Sequence, residues 1–153
     1  MSLHDDMVLM GDRAVSASRQ LLPLTSRRKN AILDAMAAEL EQRRKTILEA
    51  NARDMDAGTN AGLSAAFLDR LRLDDSRLDS MIKGLQGLSG LKDPIGARLS
   101  RWIRPNGLVI VKKRVPIGVI AIIYESRPNV TADTAGLCIK TSNAVILRGG
   151  HEA

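Results

Sequence analysis

The sequence has few of the residues that disulfides, metal sites and base-stacking surfaces require. Its single cysteine, Cys138, has no partner for an internal disulfide, and its two histidines lie near opposite ends of the chain. Its three aromatic residues are too few for a platform on which single-stranded nucleic acid could stack: Phe67, Trp102 and Tyr124. We therefore expect no disulfide scaffold, no metal site and no nucleic-acid partner.

Long apolar runs and a secretion signal are missing too. The longest apolar run, residues 115–124, is far shorter than the roughly 20 residues that a membrane helix needs. Asp5 and Asp6 stand where a signal peptide would carry positive charge. The sequence therefore predicts a cytoplasmic protein that neither spans a membrane nor is anchored to one.

Positive charge, in contrast, is abundant. The formal net charge is +6 and the isoelectric point is near 10.0, which keeps a nucleic-acid-binding domain open as an alternative. The basic clusters at residues 27–29 and 43–45 are predicted to form a solvated helix face. The cluster at residues 112–114 ends a strand, where it would attract an anionic ligand or keep an edge strand from pairing.

The later part of the chain contains a strand, a helix and a second strand. Residues 119–123 and 144–147 are runs of small and β-branched apolar residues, typical of strands covered on both faces in a parallel sheet. Residues 128–141 have helical spacing, and Asn143 is expected to take the left-handed conformation that ends the helix. The pattern predicts a βαβ unit. Neither of the usual phosphate-binding glycine loops is present.

Polar and glycine residues follow both strands of this unit. Residues 124–127 come after the first strand, and residues 148–150 come after the second. Because ligands of parallel sheets bind outside the carboxyl ends of the strands, these two segments hold the candidate binding residues.

Helices and a hairpin precede the βαβ unit. After an irregular tail, a short helix is predicted over residues 12–22, and a long helix begins at Thr25 or Ser26 and ends between residues 51 and 58. Their narrow apolar stripes predict that they lie on the sheet. The remaining elements are a helix over residues 65–71 capped by Ser64, a helix from Asp74 or Asp75 to about residue 90, and strands over residues 99–104 and 108–115.

We assign the chain to the α/β class and divide it into three parts. Residues 1–97 form an N-terminal helical part, residues 98–115 a hairpin, and residues 116–153 the first βαβ unit of a nucleotide-binding domain. Two parallel strands and one crossover helix leave such a domain incomplete. We therefore expect this chain to be the front portion of a longer protein.

The segment YESRPNVTADTAGLCIKTSNAVILRGG resembles the γ-glutamyl phosphate reductases, also called glutamate-5-semialdehyde dehydrogenases, a branch of the aldehyde dehydrogenase superfamily. The resemblance implies an aldehyde-dehydrogenase-like nucleotide-binding fold. It also implies an enzyme of proline biosynthesis that uses NADPH to reduce L-glutamyl 5-phosphate to L-glutamate 5-semialdehyde. In that family a cysteine thiolate attacks the acyl phosphate, and this cysteine lies beyond residue 153. Assembly of a homo-oligomer through the hairpin is implied as well.

The resemblance assigns roles in substrate binding and catalysis after the first strand. Ser126 falls where the superfamily places an asparagine that holds the developing oxyanion, and Arg127 and Asn129 would contact the substrate. The alternatives are that Ser126 and Asn129 are turn and cap residues, and that Arg127 forms a salt bridge, for instance to Glu125.

Cofactor-binding roles fall mainly after the second strand. Arg148 stands where the superfamily has a lysine near the adenosine ribose, and an arginine there would suit the 2′-phosphate of NADPH. Gly149 and Gly150 would let the backbone approach the ribose, and Tyr124 completes this set. The alternative is an ordinary strand-end charge followed by a turn. Cys138 is not expected to be the nucleophile, because a thiol in an apolar helix interior behaves as a small core residue.

Two further functions remain open. The chain would act as a non-catalytic interaction module if it pairs with full-length subunits through its hairpin. Alternatively, the chain would belong to an aldehyde dehydrogenase relative that acts on another substrate. This would be so if residues beyond residue 153 select a substrate other than the glutamyl one.

Overall fold

A computed structural model describes residues 2–150 of the chain. The elements within this range are α1 (Leu3–Leu21), α2 (Ser26–Gln42), α3 (Arg44–Asn60), α4 (Ala65–Leu71), α5 (Asp75–Gly90), β1 (Arg98–Ile103), β2 (Val109–Lys113), β3 (Val119–Ile123), α6 (Pro128–Lys140) and β4 (Ala144–Arg148). No helix among these residues is both long and apolar enough to cross a membrane.

The predicted βαβ unit is confirmed. Strands β3 and β4 pair in parallel, with Ile123 opposite Arg148 at the carboxyl end, and α6 connects them. The left-handed residue after α6 is Ser142, with φ of 55°, and the prediction that Asn143 takes this conformation was wrong. Asn143 instead accepts a hydrogen bond from the Gly118 N–H at 2.8 Å, which ties the start of β4 to the start of β3. That side-chain bond fixes Asn143, so the turn falls one residue earlier.

The predicted hairpin is confirmed as well. Strands β1 and β2 pair antiparallel, with Trp102 opposite Ile110, and Gly107 takes φ of 83° in the turn between them. Every residue of β1 is exposed, including Trp102 at 45%. The hairpin therefore packs little against the rest of the described chain.

The N-terminal tail is helical, so the prediction of an irregular tail was wrong. The Ser2 hydroxyl accepts a hydrogen bond from the Asp5 N–H at 3.2 Å, and the Asp5 carboxylate accepts one from the Ser2 N–H at 2.9 Å. This reciprocal capping box satisfies two backbone donors and starts α1 at Leu3. Helix α1 then runs alongside β3 and β4.

The long helix predicted from Thr25 is two helices that meet at Arg43. Helix α3 contacts the connection between α4 and α5 through Asn51, whose side chain is buried. Its amide nitrogen donates to the Leu71 carbonyl at 2.9 Å, and its oxygen accepts from the Leu73 N–H at 2.6 Å. Asn51 thereby satisfies two backbone groups of this connection.

The main core lies between helices, whereas the helical stripes were expected to lie on the sheet. Helix α2 packs against α5 and α6, and of the early helices only α1 follows the strands closely. The buried apolar residues of this core are Leu33, Ala37, Leu73, Leu78, Met81, Ile82 and Leu85. Helix α6 approaches α5 at Gly136, where an added Cβ would lie 2.6 Å from Leu85 Cδ2. Helices α2 and α5 therefore position the start of α6.

Candidate functional site

The two strand ends meet at one edge of the sheet. The parallel register of β3 and β4 ends at Ile123 and Arg148, and the Tyr124 N–H donates to the Arg148 carbonyl at 3.0 Å. Residues 124–127 and 148–150 are therefore neighbours, as the sequence predicts. Each segment leaves the sheet where parallel sheets bind their ligands.

Tyr124 connects this edge to α6. Its hydroxyl shares a hydrogen bond with the Thr131 hydroxyl at 2.5 Å. Its ring lies against Gly149, where an added Cβ would lie 3.5 Å from the ring atoms. The backbone of Gly149 is consequently packed on an aromatic face at the candidate cofactor edge.

An apolar groove of about 710 Å³ opens beside the strand ends. One wall contains Tyr124, Glu125, Gly149 and Gly150. The other walls come from α2, α3, α5 and α6, and include Ile32, Met36, Leu40, Ile47, Leu85, Ala132 and Ala135. A mostly apolar cleft with a few polar groups at one side is typical of small-molecule sites.

A second cavity, of about 380 Å³, lies between the α4–α5 connection and the start of α6, and we call it the arginine cavity. Arg127 lines both the arginine cavity and the apolar groove. The charged residues of the arginine cavity are Asp69, Arg70, Arg72, Arg77, Arg127 and Asp133. Four arginines against two aspartates leave an excess of positive charge.

The charges in the arginine cavity are only partly paired. Arg77 forms an ion pair with Asp69 at 2.9 Å. Arg127 forms no ion pair within residues 2–150, so the alternative of a salt bridge to Glu125 is not observed. Asp133 also has no cationic partner in that range. Arg70 likewise forms no ion pair in the described range, so two guanidiniums, of Arg70 and Arg127, and the Asp133 carboxylate line a single cavity without an ion-pair partner.

The start of α6 is not capped by the side chains proposed for that role. The N-cap residue is Arg127, and it makes no side-chain capping hydrogen bond. The Asn129 amide donates instead to the Asp133 carboxylate at 3.0 Å. The Ser126 hydroxyl is 1% exposed and forms no hydrogen bond with the part of the chain that the structure describes. A cap role for Ser126 or Asn129 is therefore not seen.

Arg148 and Cys138 have opposite environments. Arg148 is exposed, donates to the Gly149 carbonyl, and forms no ion pair in the described range. Cys138 is 4% exposed, and burial raises the pKa of its thiol. A buried, protonated thiol is a poor nucleophile, as the sequence predicts. Within residues 2–150 no cluster of three or more metal-binding side chains occurs.

The sequence did not reveal a buried ion pair that lies close to the turn before β4. Lys29 was assigned to a solvated face, but it is 1% exposed and lies 2.5 Å from the Asp93 carboxylate. It also donates to the Ser142 hydroxyl at 3.1 Å, which ties α2 to the turn before β4. No signal distinguishes Lys29 from Arg27 and Arg28 in the sequence. Asp133 was missed too, although its position four residues after Asn129 on a helix was a usable signal.

Comparison with known proteins connects this arrangement to named relatives. No protein-family model matches the chain. The γ-glutamyl phosphate reductase of Moorella thermoacetica is 58% identical over all 153 residues, and that of Heliobacterium modesticaldum is 52% identical over the same length. In both comparisons the chain spans 37% of the relative's length.

Solved structures with the same name have the same fold. The crystal structure of γ-glutamyl phosphate reductase from Thermotoga maritima aligns with a TM-score of 0.91 and 45% identity, over 95% of this chain and 35% of that chain. The structure from Saccharomyces cerevisiae aligns with a TM-score of 0.89 and 32% identity, over 92% of this chain and 36% of that one. The α/β assignment is confirmed, and the chain belongs to the γ-glutamyl phosphate reductase family as the counterpart of the N-terminal portion of its members.

Proposed function

We propose that the chain supplies part of the NADPH site and part of the substrate site of a cytoplasmic enzyme of proline biosynthesis. This enzyme reduces L-glutamyl 5-phosphate to L-glutamate 5-semialdehyde. The observation that carries the proposal is the meeting of the two strand ends, because Arg127 follows one end and Arg148 closes the other, and neither forms an ion pair in the described range. Both ligands are anionic, so two unpaired arginines suit them.

NADPH supplies a hydride when it is bound, and four residues of this chain are proposed to hold it. The exposed Arg148 has no carboxylate partner in residues 2–150, which leaves its guanidinium available to a ribose 2′-phosphate. Gly149 and Gly150 line the apolar groove without side chains that would keep a ribose away. Tyr124 forms the adjoining wall.

Arg127, Asn129 and Ser126 are proposed to serve the substrate. Arg127 and Asn129 line the arginine cavity at the start of α6, where the helix dipole also favours an anion. Ser126 would donate its hydroxyl to the developing oxyanion. Because that hydroxyl is buried, the proposal requires the segment around Ser126 to move when substrate binds.

We do not expect this chain to turn over substrate alone. Its one cysteine, Cys138, is buried and its thiol pKa is raised. The nucleophilic cysteine is therefore expected outside residues 1–153. The division into parts at residues 1–97, 98–115 and 116–153 stays a prediction.

Titration of the chain with NADPH and NADH, followed by cofactor fluorescence, tests the cofactor site. Wild type should bind NADPH more tightly than NADH. Arg148→Gln should weaken NADPH binding about tenfold, the size expected for one charge-assisted contact, and leave NADH binding unchanged. Arg104→Gln, in the hairpin turn, is the matched control. Equal affinities for the two cofactors, or no binding of either, would overturn the proposal.

A second candidate function is pairing with other subunits through the hairpin, as a homo-oligomer or as a non-catalytic interaction module. The exposed apolar residues of β1 favour it: Leu99, Trp102 and Ile103. Within the enzyme class, the alternative is a different acyl phosphate or aldehyde substrate. Recognition of the amino-acid head group would distinguish the L-glutamyl substrate from that alternative.

A further inference from the structure

The arginine cavity contains charges of both signs that do not pair: the guanidiniums of Arg70 and Arg127, and the Asp133 carboxylate. Arg127 begins α6, and Asp133 lies further along the same helix. Both line the cavity, yet neither forms an ion pair with the other or with another residue of the described range. The other aspartate of the cavity, Asp69, is engaged by Arg72 and Arg77. Separated free charges of both signs match a ligand that carries both signs itself.

Neighbouring residues hold the Asp133 carboxylate and the Arg77 guanidinium in place. The Asn129 amide donates to Asp133 Oδ2 at 3.0 Å, which orients the carboxylate. Gly84 of α5 faces it, and an added Cβ there would lie 3.7 Å from Asp133 Oδ1. On the opposite wall, the Arg77 guanidinium bonds to the carbonyl groups of Asp69 and Arg72. These contacts orient Asp133 and Arg77, whereas the exposed guanidinium of Arg127 has no ion-pair partner in the described range.

We propose that the arginine cavity binds the zwitterionic head group of an α-amino acid. Arg127 takes the α-carboxylate, and Asp133 takes the α-ammonium group. The inference rests on the proposed function and deepens it, because the head group would be that of the L-glutamyl substrate. Asp133 then becomes a specificity-determining residue that distinguishes an amino acid from a simple carboxylic acid.

The glutamyl chain can reach from this cavity to the strand end. Three bonds of about 1.5 Å each separate the α-carbon of glutamate from its reacting carbon. Arg127 follows Ser126 directly, and neighbouring Cα atoms are about 3.8 Å apart. The glutamyl chain is therefore about as long as the spacing of the Arg127 and Ser126 Cα atoms, and the buried Ser126 would have to become exposed for its hydroxyl to meet the reacting carbon.

Binding of head-group analogues to the cofactor-free chain tests the inference. The probes are L-glutamate, glutarate, which lacks the ammonium group, and 4-aminobutyrate, which lacks the α-carboxylate. Calorimetric titration should rank them L-glutamate, then glutarate, then 4-aminobutyrate, because the excess of arginine favours the carboxylate. No binding of L-glutamate, or equal affinity for L-glutamate and glutarate, would overturn the proposal.

Two substitutions separate the two contacts. Asp133→Asn should weaken L-glutamate binding about tenfold and leave glutarate binding unchanged, because only the ammonium contact is lost. Arg127→Gln should weaken both ligands. Asp12→Asn and Arg98→Gln, both outside the cavity, are controls that should change neither. If Asp133→Asn weakens both ligands equally, the carboxylate has a structural role only and the inference fails.

The head-group site and the proposed cofactor site can fail independently of each other. NADPH binding without discrimination between L-glutamate and glutarate would overturn only the head-group site. Selective L-glutamate binding without NADPH binding would overturn only the proposed cofactor site. Should Asp133→Asn fail to fold by circular dichroism, the Asn129 side-chain amide of wild type provides a second readout. Its NMR signal should shift with L-glutamate and not with glutarate, and equal shifts would contradict the inference.

Discussion

Lys29 joins three parts of the chain through one buried ammonium group. It pairs with Asp93 after α5 and donates to Ser142 before β4. Lys29→Met keeps most of the side-chain volume but leaves the Asp93 carboxylate, 11% exposed, without its cation. Loss of one member of a buried pair costs about 3–5 kcal/mol, so the free energy of unfolding in urea should fall by that order. Arg28→Met, on the exposed neighbour, should change it by less than about 0.5 kcal/mol.

The same pair predicts how stability depends on pH. Burial acts to raise the pKa of Asp93, but hydrogen bonds from Lys29, the Ile95 N–H and Ser26 outweigh it and hold the pKa below its ordinary value. The unfolded chain therefore binds a proton more readily than the folded one, and the stabilisation is complete only above the unfolded pKa of about 3.9. Urea unfolding at successive pH values should show stability lost as pH falls below about 4. Part of that loss should be absent in Lys29→Met, and identical pH profiles would contradict this origin.

Local patterns predicted some elements closely, and tertiary contacts explain the others. Strands β3 and β4 and helix α6 were predicted to within about a residue, because their apolar runs and helical spacing are local. The start of α1 depends on polar contacts between Ser2 and Asp5, which no apolar pattern records. The contact of Asn51 with the α4–α5 connection exists only in the folded chain, and no local pattern records it.

Part of the candidate site could be predicted from local patterns in the sequence, and part depends on tertiary contacts. The meeting of residues 124–127 with residues 148–150 could be predicted, because parallel strands end at a common edge. The arginine cavity could not, because Arg77 and Asp133 are distant in sequence and converge only when α5 packs on α6. The burial of the Lys29 and Ser126 side chains could not be predicted from the sequence either.

Two glycines test how closely α5 and α6 must pack. At Gly136 of α6 an added Cβ would lie 2.6 Å from Leu85 Cδ2, and Leu85 is buried and has no room to move aside. Gly136→Ala should therefore lower the free energy of unfolding by about 1–3 kcal/mol despite its better helix propensity. Gly87 of α5 has nothing within 4 Å of such a Cβ, so Gly87→Ala should raise it by up to about 1 kcal/mol. Equal effects in urea unfolding would show that the helices do not approach at Gly136.

Many large apolar side chains of the described chain lie exposed on its surface. One patch is on the hairpin, and further exposed apolar residues lie along α1: Leu3, Met7, Val8, Met10 and Val15. Exposed apolar patches of this kind mark surfaces that other protein covers. The two strands β3 and β4 also have edges that carry unpaired backbone groups. The chain spans 37% of the length of the Moorella thermoacetica relative.

The hairpin gives the sharpest test of such association. We expect light scattering after gel filtration to give a mass above the 16.6 kDa of one chain, increasing with concentration. Ile103→Lys should shift it toward the monomer, because a charge is costly in an apolar interface. Leu22→Lys is the matched control, since Leu22 is 59% exposed and Ile103 57%. Trp102, the only tryptophan, should shift its emission to shorter wavelength on association. A monomer at every concentration with a cooperative melt would contradict association through the hairpin and would show that these helices stabilise the fold without a partner.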